Sequence, residues 1–166
     1  MTSSIVTGAR IVAAGLRGGY PQAVIKTVDE SVSGSTTLQN DDELFTGVAA
    51  SSAYLFACYL DYEAGFSGGQ GFLQYKWTVP TGATLRFSAL GTTVLAAVQA
   101  ATTQKETTAY TLNGSGAGTL LAASMIGTLV TSATAGILQL QWAQSISSGT
   151  ATKVHAQSYL ALWKIS

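Results

Sequence analysis

The last third of the chain alternates apolar and polar side chains with a period of two. Over residues 137–144, Leu138, Leu140 and Trp142 fall on one side, and Gln139, Gln141 and Ala143 on the other. Residues 159–165, with Tyr159 and Trp163, repeat the style. Successive side chains of a strand point to opposite faces, so the pattern predicts strands with one apolar and one neutral polar face. Residues 72–79 read the same way, with Leu73, Tyr75, Trp77 and Val79 opposite Gln74, Lys76 and Thr78. Further strands are predicted at 23–28, 36–38, 43–48, 52–62, 84–88, 120–131 and 151–155. For 120–131, a short helix followed by a strand is the alternative. Turn chemistry separates these runs. It stands at Gln39-Asn40-Asp41-Asp42, in the glycine-rich stretch 65–71, at Pro80-Thr81-Gly82, and in 113–118 and 145–149.

Eight to ten short strands with frequent turns predict an all-β fold: a β-sandwich, with a jelly roll as first choice. Residues 1–20 differ. Isolated Ile5, Val6, Ile11, Val12 and Leu16 stand among glycines with Arg10 and Arg17, and Gly18-Gly19 follows as a hinge. Free tails rarely carry so many aliphatics. The expected organisation is a docking arm over 1–20 and one sandwich domain over 21–166.

Composition sharpens this picture. Charged residues are 10% of the chain, against about a quarter in an ordinary soluble domain. The formal net charge is zero, which gives little protection from association. Neutral Gln and Thr faces with so few charges predict contact with copies of the same chain, in a symmetric trimer. The charge balance offers no basic surplus for phosphates, which argues against nucleic acid. No apolar run approaches the ~20 residues that span a bilayer, which argues against a membrane helix.

The search for chemistry fails on parts. His155 is the only histidine. No CxxC or HExxH spacing accompanies it, so no metal site assembles, and a Ser-His-Asp triad drawn from His155, Asp29 or Asp61 and any of many serines carries almost no information. A hydrogen-bonding role at a strand end is expected for it. Cys58 lies in an apolar run and reads as a buried small hydrophobe. Asp41-Asp42-Glu43 reads as a solvated turn rather than half a calcium site. Asp61 and Glu63 read as exposed strand-end acids rather than a glycosidase pair. Residues 113–118 lack the Lys-Ser/Thr of a phosphate loop. The expectation is no catalytic residue, no metal and no cofactor. Most of the tyrosines and tryptophans should be core or subunit interface, with a sugar-stacking platform as the lesser reading.

Five segments carry a resemblance. They are Lys26-Thr27-Val28-Asp29-Glu30-Ser31-Val32, Thr36-Thr37-Leu38-Gln39-Asn40-Asp41, Val79-Pro80-Thr81-Gly82-Ala83-Thr84, Leu138-Gln139-Leu140-Gln141-Trp142-Ala143-Gln144 and Ser158-Tyr159-Leu160-Ala161-Leu162-Trp163-Lys164-Ile165. In this order they resemble motifs of small β-rich virion proteins of actinobacterial tailed phages and prophages, over about residues 22–166. The resemblance implies a non-enzymatic structural protein made in the host cytoplasm and carried on the virion exterior. It favours a capsid decoration or head-fibre role, docked through the arm on a major capsid or tail protein. The alternative is a tail-tip or tail-fibre module that contacts host surface glycans. Tyr75, Trp77, Leu138, Gln139, Leu140, Gln141, Trp142, Tyr159 and Trp163 are expected in the core or at the subunit interface.

Overall fold

The computed structural model describes residues 21–66, 69–70, 72–91 and 103–166. The docking arm expected over 1–20 lies outside them, and with it Ile5, Val6, Arg10, Ile11, Val12, Leu16 and Arg17. The described residues form strands and connections, with no helix among them. The strands are β1 (Gln22–Ile25), β2 (Glu30–Val32), β3 (Gln39–Val48), β4 (Ala53–Phe66), β5 (Gly69–Gln70), β6 (Phe72–Thr78), β7 (Thr84–Gly91), β8 (Gln104–Lys105), β9 (Tyr110–Asn113), β10 (Leu121–Val130), β11 (Gly136–Gln144), β12 (Thr152–Val154) and β13 (Tyr159–Lys164).

They pair antiparallel into two sheets. The larger runs β1-β13-β4-β10-β7-β8, with β12 continuing beside β4 and bridging to β2. The smaller runs β3-β11-β6-β9. Number β1, β3, β4, β6, β9, β10, β11 and β13 from one to eight. One sheet then reads one-eight-three-six and the other two-seven-four-five, which is jelly-roll order. The hairpin β7-β8 is an addition between the fourth and fifth strands that widens the larger sheet.

The period-two pattern explains the core. From β4, Tyr54, Phe56, Cys58, Leu60 and Tyr62 point inward; from β6, Leu73, Tyr75 and Trp77; from β11, Leu138, Leu140 and Trp142. All are essentially inaccessible to solvent. Phe56 and Trp77 meet edge to face across the sandwich, their ring centroids 5.0 Å apart. The alternative helix at 120–131 does not form, because β10 pairs along its whole length with β4. Gly127 of β10 is required by packing. A Cβ there would run into the carbonyl oxygen of Arg86 and lie 2.6 Å from the Cα of Phe87 in β7.

Four expectations need correction. Residues 36–38 are not a strand, and 39–42 are not a turn but the start of β3. The end of the glycine-rich stretch is not all loop, since Gly65 and Phe66 pair with Gln70 and Gly69. Glu63 is not an exposed acid: its carboxylate is largely buried and takes a 2.6 Å ion pair from Lys153 of β12. That pairing holds the Glu63 carboxyl below its usual range, with a smaller contribution from the backbone N–H of Gly118.

Candidate interaction surface

The outward side chains of the larger sheet form rows across its strands. One row runs Trp163, Leu55, Thr128, Arg86; the next runs Ala161, Ala57, Ile126, Ser88; the third runs Tyr159, Tyr59, Ser124, Leu90. Cross-strand neighbours in a pleated sheet stand side by side, so the rows are physical ridges and troughs. Large side chains at the β13–β4 end of the first and third rows flank Ala161 and Ala57 in the middle. Tyr59 and Tyr159 stack at 5.8 Å with ring planes 17° apart, which fixes the third ridge. The result is a shallow open groove of ≈ 780 Å³, lined by Leu55, Ala57, Ser88, Ile126, Trp163 and Ile165 among others.

This face is apolar. Leu55, Ile126, Val130 and Ile165 are each about half exposed or more, and Trp163 and Tyr159 more than a third. Its charges lie at the margins of the rows: Arg86 beside Lys105 of β8 at one end, and Lys164, Asp61 and the Glu63–Lys153 pair along the edges. With strands about 4.8 Å apart and about 3.4 Å of rise per residue, the five main strands offer roughly 600 Å² of projected face. Part of that area is polar (Thr128, Ser124, Ser88 and Arg86), so the apolar patch falls within the about 300–600 Å² of the largest patch on a monomer. The whole face supplies most of the about 800 Å² per partner of a stable interface.

Strand β4 carries an independent mark of the same thing. Ala53-Tyr54-Leu55-Phe56-Ala57-Cys58-Tyr59-Leu60 has no charged or amide side chain in eight residues. Strands with one wet face alternate, whereas strands covered on both faces read as continuous apolar runs. Among the described residues, β4 is covered by the core on one side only.

The smaller sheet behaves differently. Its outward Gln139 donates to the backbone carbonyl of Asp41 at 3.1 Å, and Gln141 to the Asn40 side chain at 2.8 Å. These glutamines, expected as a neutral contact face, each donate one hydrogen bond within their own chain. Of the residues expected in core or interface, Tyr75, Trp77, Leu138, Leu140 and Trp142 are core. Gln139 and Gln141 lie on the outer face of the small sheet, and Tyr159 and Trp163 on that of the large one.

A buried polar centre lies where β1 passes β3. The pairing of β3 with β11 is irregular here: Gln139 faces Phe45 and Gln141 faces Asn40, so Asp41 to Leu44 bulge against Leu140. The bulge turns Asp41 inward, where it is wholly buried. Its Oδ1 accepts the backbone N–H groups of Glu43 (3.0 Å) and Leu44 (2.8 Å) and Lys26 Nζ (3.0 Å). Its Oδ2 accepts Trp142 Nε1 at 3.1 Å. The expected solvated turn at Asp41 is therefore corrected: the aspartate does cap its own backbone, but inside the protein and against a lysine. Lys26 Nζ also donates to Glu30 Oε2 at 2.9 Å. Burial pulls the Lys26 pKa down, but the hydrogen bonds to Glu30 and Asp41 outweigh it, and the net shift is upward.

Two other residues weighed for chemistry, His155 and Cys58, sit in structural positions, the His155 Nε2 buried without a hydrogen-bond partner. His155 Nδ1 lies 3.1 Å from Asp29 Oδ2 at the end of β12, as expected of a strand-end hydrogen bond. Cys58 is fully buried, and burial pushes its thiol far above its ordinary range, away from the reactive thiolate. Among the described residues no three metal-ligating side chains come together.

No protein-family model matches the chain, and no curated protein matches it. Among solved structures it is similar to that of the infectious bursal disease virus Gx strain, at 11% identity and a TM-score of 0.22. The match covers 86% of this chain and 40% of that one. For the Gt strain of the same virus the values are 9%, 0.17, 88% and 41%. The chain thus spans less than half the length of these viral chains, and a likeness this slight adds nothing to the fold described above.

Proposed function

We propose that this chain is a non-enzymatic structural protein of a tailed-phage virion. It assembles with copies of itself, as a trimer, through the outer face of its larger sheet. The observation that carries the reading is that face: a groove of apolar side chains on a strand whose sequence has the character of one covered on both sides. A second copy is the occupant the surface favours. The middle of the face carries no charged side chain and the chain has no net charge, so it offers a partner of either sign little to recognise. Its area suits a subunit contact.

The ordered motifs from Lys26 to Ile165, through their resemblance, support a place on a virion exterior. Within that, the capsid decoration or head-fibre role comes first, docked through residues 1–20 on a major capsid or tail protein. The tail-tip role, contacting host glycans, is second. Sedimentation of the purified protein tests self-association, with a trimer expected and a stable monomer at tens of micromolar excluding it. Counting copies per purified virion by quantitative mass spectrometry separates the roles. A decoration protein is present in high fixed number, a tail-tip protein in few copies, and a protein absent from virions would refute both.

A further inference from the structure

We propose that Lys26 and Asp41 join covalently, Nζ to Cγ, as an intramolecular isopeptide bond, with Glu30 relaying the proton. The side chains of both partners are wholly buried, and Nζ lies 3.0 Å from the carboxylate oxygen. Around the buried amine stand the carboxylate that would receive it, a second carboxylate 2.9 Å from the same nitrogen, and the Glu43 carboxylate farther off at 3.9 Å. A buried ion pair is costly to keep, because desolvation offsets most of its attraction. Condensation to an amide removes both charges and expels one water. Reactants held at contact in a fixed orientation react with effective molarities of about 10⁵–10⁸ M.

The chemistry balances within the cluster. The proton on the Nζ–Oδ1 hydrogen bond passes to Asp41, which leaves a neutral amine beside a carboxylic acid without exchange with solvent. The amine lone pair adds to Cγ, and the carbonyl pair moves onto Oδ2. Trp142 Nε1, 3.1 Å from Oδ2, donates to that oxygen as it becomes negative. Glu30 takes one of the two remaining protons from Nζ and returns it to the Oδ1 hydroxyl, which departs as water with its bonding pair. The Oδ2 carbonyl re-forms, and Glu30 ends as it began. Ammonium and carboxylate have become an amide and a water, with no other reactant. The Glu30 side chain is 14% exposed, so it stands between the buried pair and the exit for water.

The placement gives the bond a use. Lys26 directly follows β1 of the larger sheet, and Asp41 lies in β3 of the smaller one. The link would staple the two layers at one end of the sandwich, across a sequence separation of 15 residues. A protein on a particle exterior has no turnover to repair it, and a covalent staple resists mechanical and chemical opening.

Mass spectrometry of the purified full chain under denaturing conditions decides it. The folded protein is expected to weigh less than its sequence by one water, about 18 Da. Trypsin should no longer cut after Lys26, and the fragment over residues 18–76 should carry the whole deficit. Lys26→Arg keeps the charge but cannot form this amide, and should show full mass. Glu30→Gln keeps the shape but not the relay, and should also show full mass after the same incubation. A folded parent protein of full mass, cut normally after Lys26, overturns the proposal. A deficit that persists in Lys26→Arg places any loss elsewhere and overturns it too. A bond forming equally fast in Glu30→Gln removes Glu30 from the mechanism.

Discussion

Replacing Ile126 by lysine tests the assembly surface. Ile126 stands in the middle row of the groove between Ala57 and Ser88, and it is 61% exposed in the single chain. Its removal therefore costs the isolated fold little; surface substitutions of this kind stay within about 0.5 kcal/mol. In the proposed assembly the same side chain is buried. Full burial of an isoleucine contributes about 1.5–3 kcal/mol. With 61% of the residue left to bury, the three contacts of the proposed trimer contribute about 3–5 kcal/mol, before any desolvation of the new ammonium. At about 1.4 kcal/mol per factor of ten, the trimerisation constant should fall by about two to four orders of magnitude. The assay is sedimentation velocity over a dilution series, paired with thermal melting of the diluted protein. The parent should remain associated at concentrations where the variant is a folded monomer. Gln141→Lys is the control, since it places the same charge on the outer face of the smaller sheet. If Ile126→Lys associates like the parent while Gln141→Lys dissociates, the wrong sheet has been assigned.

Four further outcomes are expected. Trp142→Ala should cost about 3–5 kcal/mol in urea unfolding, because it empties a fully buried indole site and leaves Asp41 Oδ2 without its donor; an unchanged midpoint would contradict the core assignment. Gly127→Ala should destabilise by about 1–3 kcal/mol or more, since the atoms a methyl meets are β7 backbone that cannot turn aside; a neutral effect would mean that β7 and β10 are farther apart. Thermal stability should hold from about pH 5 to 9 and fall on both sides. On the acid side, the carboxyls of Glu63 (held down first by Lys153), Glu43 (first by the Thr27 hydroxyl) and Asp29 (first by the Ala156 N–H, then by His155) lie below their ordinary values. Their stabilisation is present above the unfolded pKa near 4 and is lost as pH falls through the folded one. On the alkaline side, burial raises Tyr75 and pushes Tyr62 up to about 12, so the unfolded chain loses protons first above about pH 10; a decline that already begins at neutrality would contradict this assignment. His155→Gln should change stability by less than about 1.5 kcal/mol, the net value of one hydrogen bond to Asp29. It should leave association untouched, and the parent should cleave no glycan; cleavage lost in the variant would revive an enzymatic reading.

Some of this was legible in the residues and some was not, for physical reasons. Alternation placed Leu138, Leu140, Trp142, Leu73, Tyr75 and Trp77 on inner faces, because a strand of period two admits only two sides. Asp41 was misread because Gln-Asn-Asp-Asp has turn chemistry, and the chain does make an aspartate-capped bend there. What composition does not show is the lysine 15 residues earlier that lets the bend lie inside. The sign that could have found it was Lys26 closing the apolar run Ala23-Val24-Ile25. Glu63 was misread for the same reason, since its partner Lys153 comes from β12, brought alongside only by the fold. The contact face was expected on the glutamines of β11. Those glutamines can bond to neighbouring strands and do; the leucine, isoleucine and tryptophan of the larger sheet cannot. For the contact face proposed above, the unbroken apolar run of β4 is the sequence signal.

The use of charge links stability to assembly. The chain has eight acids and eight bases. Lys26, Glu30, Asp41 and Glu43 gather around one buried nitrogen, and Glu63 pairs with Lys153. These six charges strap strands at the ends and margins of the sandwich: β1 to β3, and β12 to β4. They are therefore missing from the middle of the sheet faces, where charge would keep neighbouring molecules apart. A monomer that had to stay dispersed would use its few charges the other way, on the exposed rows of β4, β10 and β13. Here those rows carry leucine, isoleucine, tyrosine and tryptophan, while lysine and aspartate lie inside. The arrangement makes sense for a subunit whose broad face is not meant to meet water, and whose ends must hold while that face is being covered.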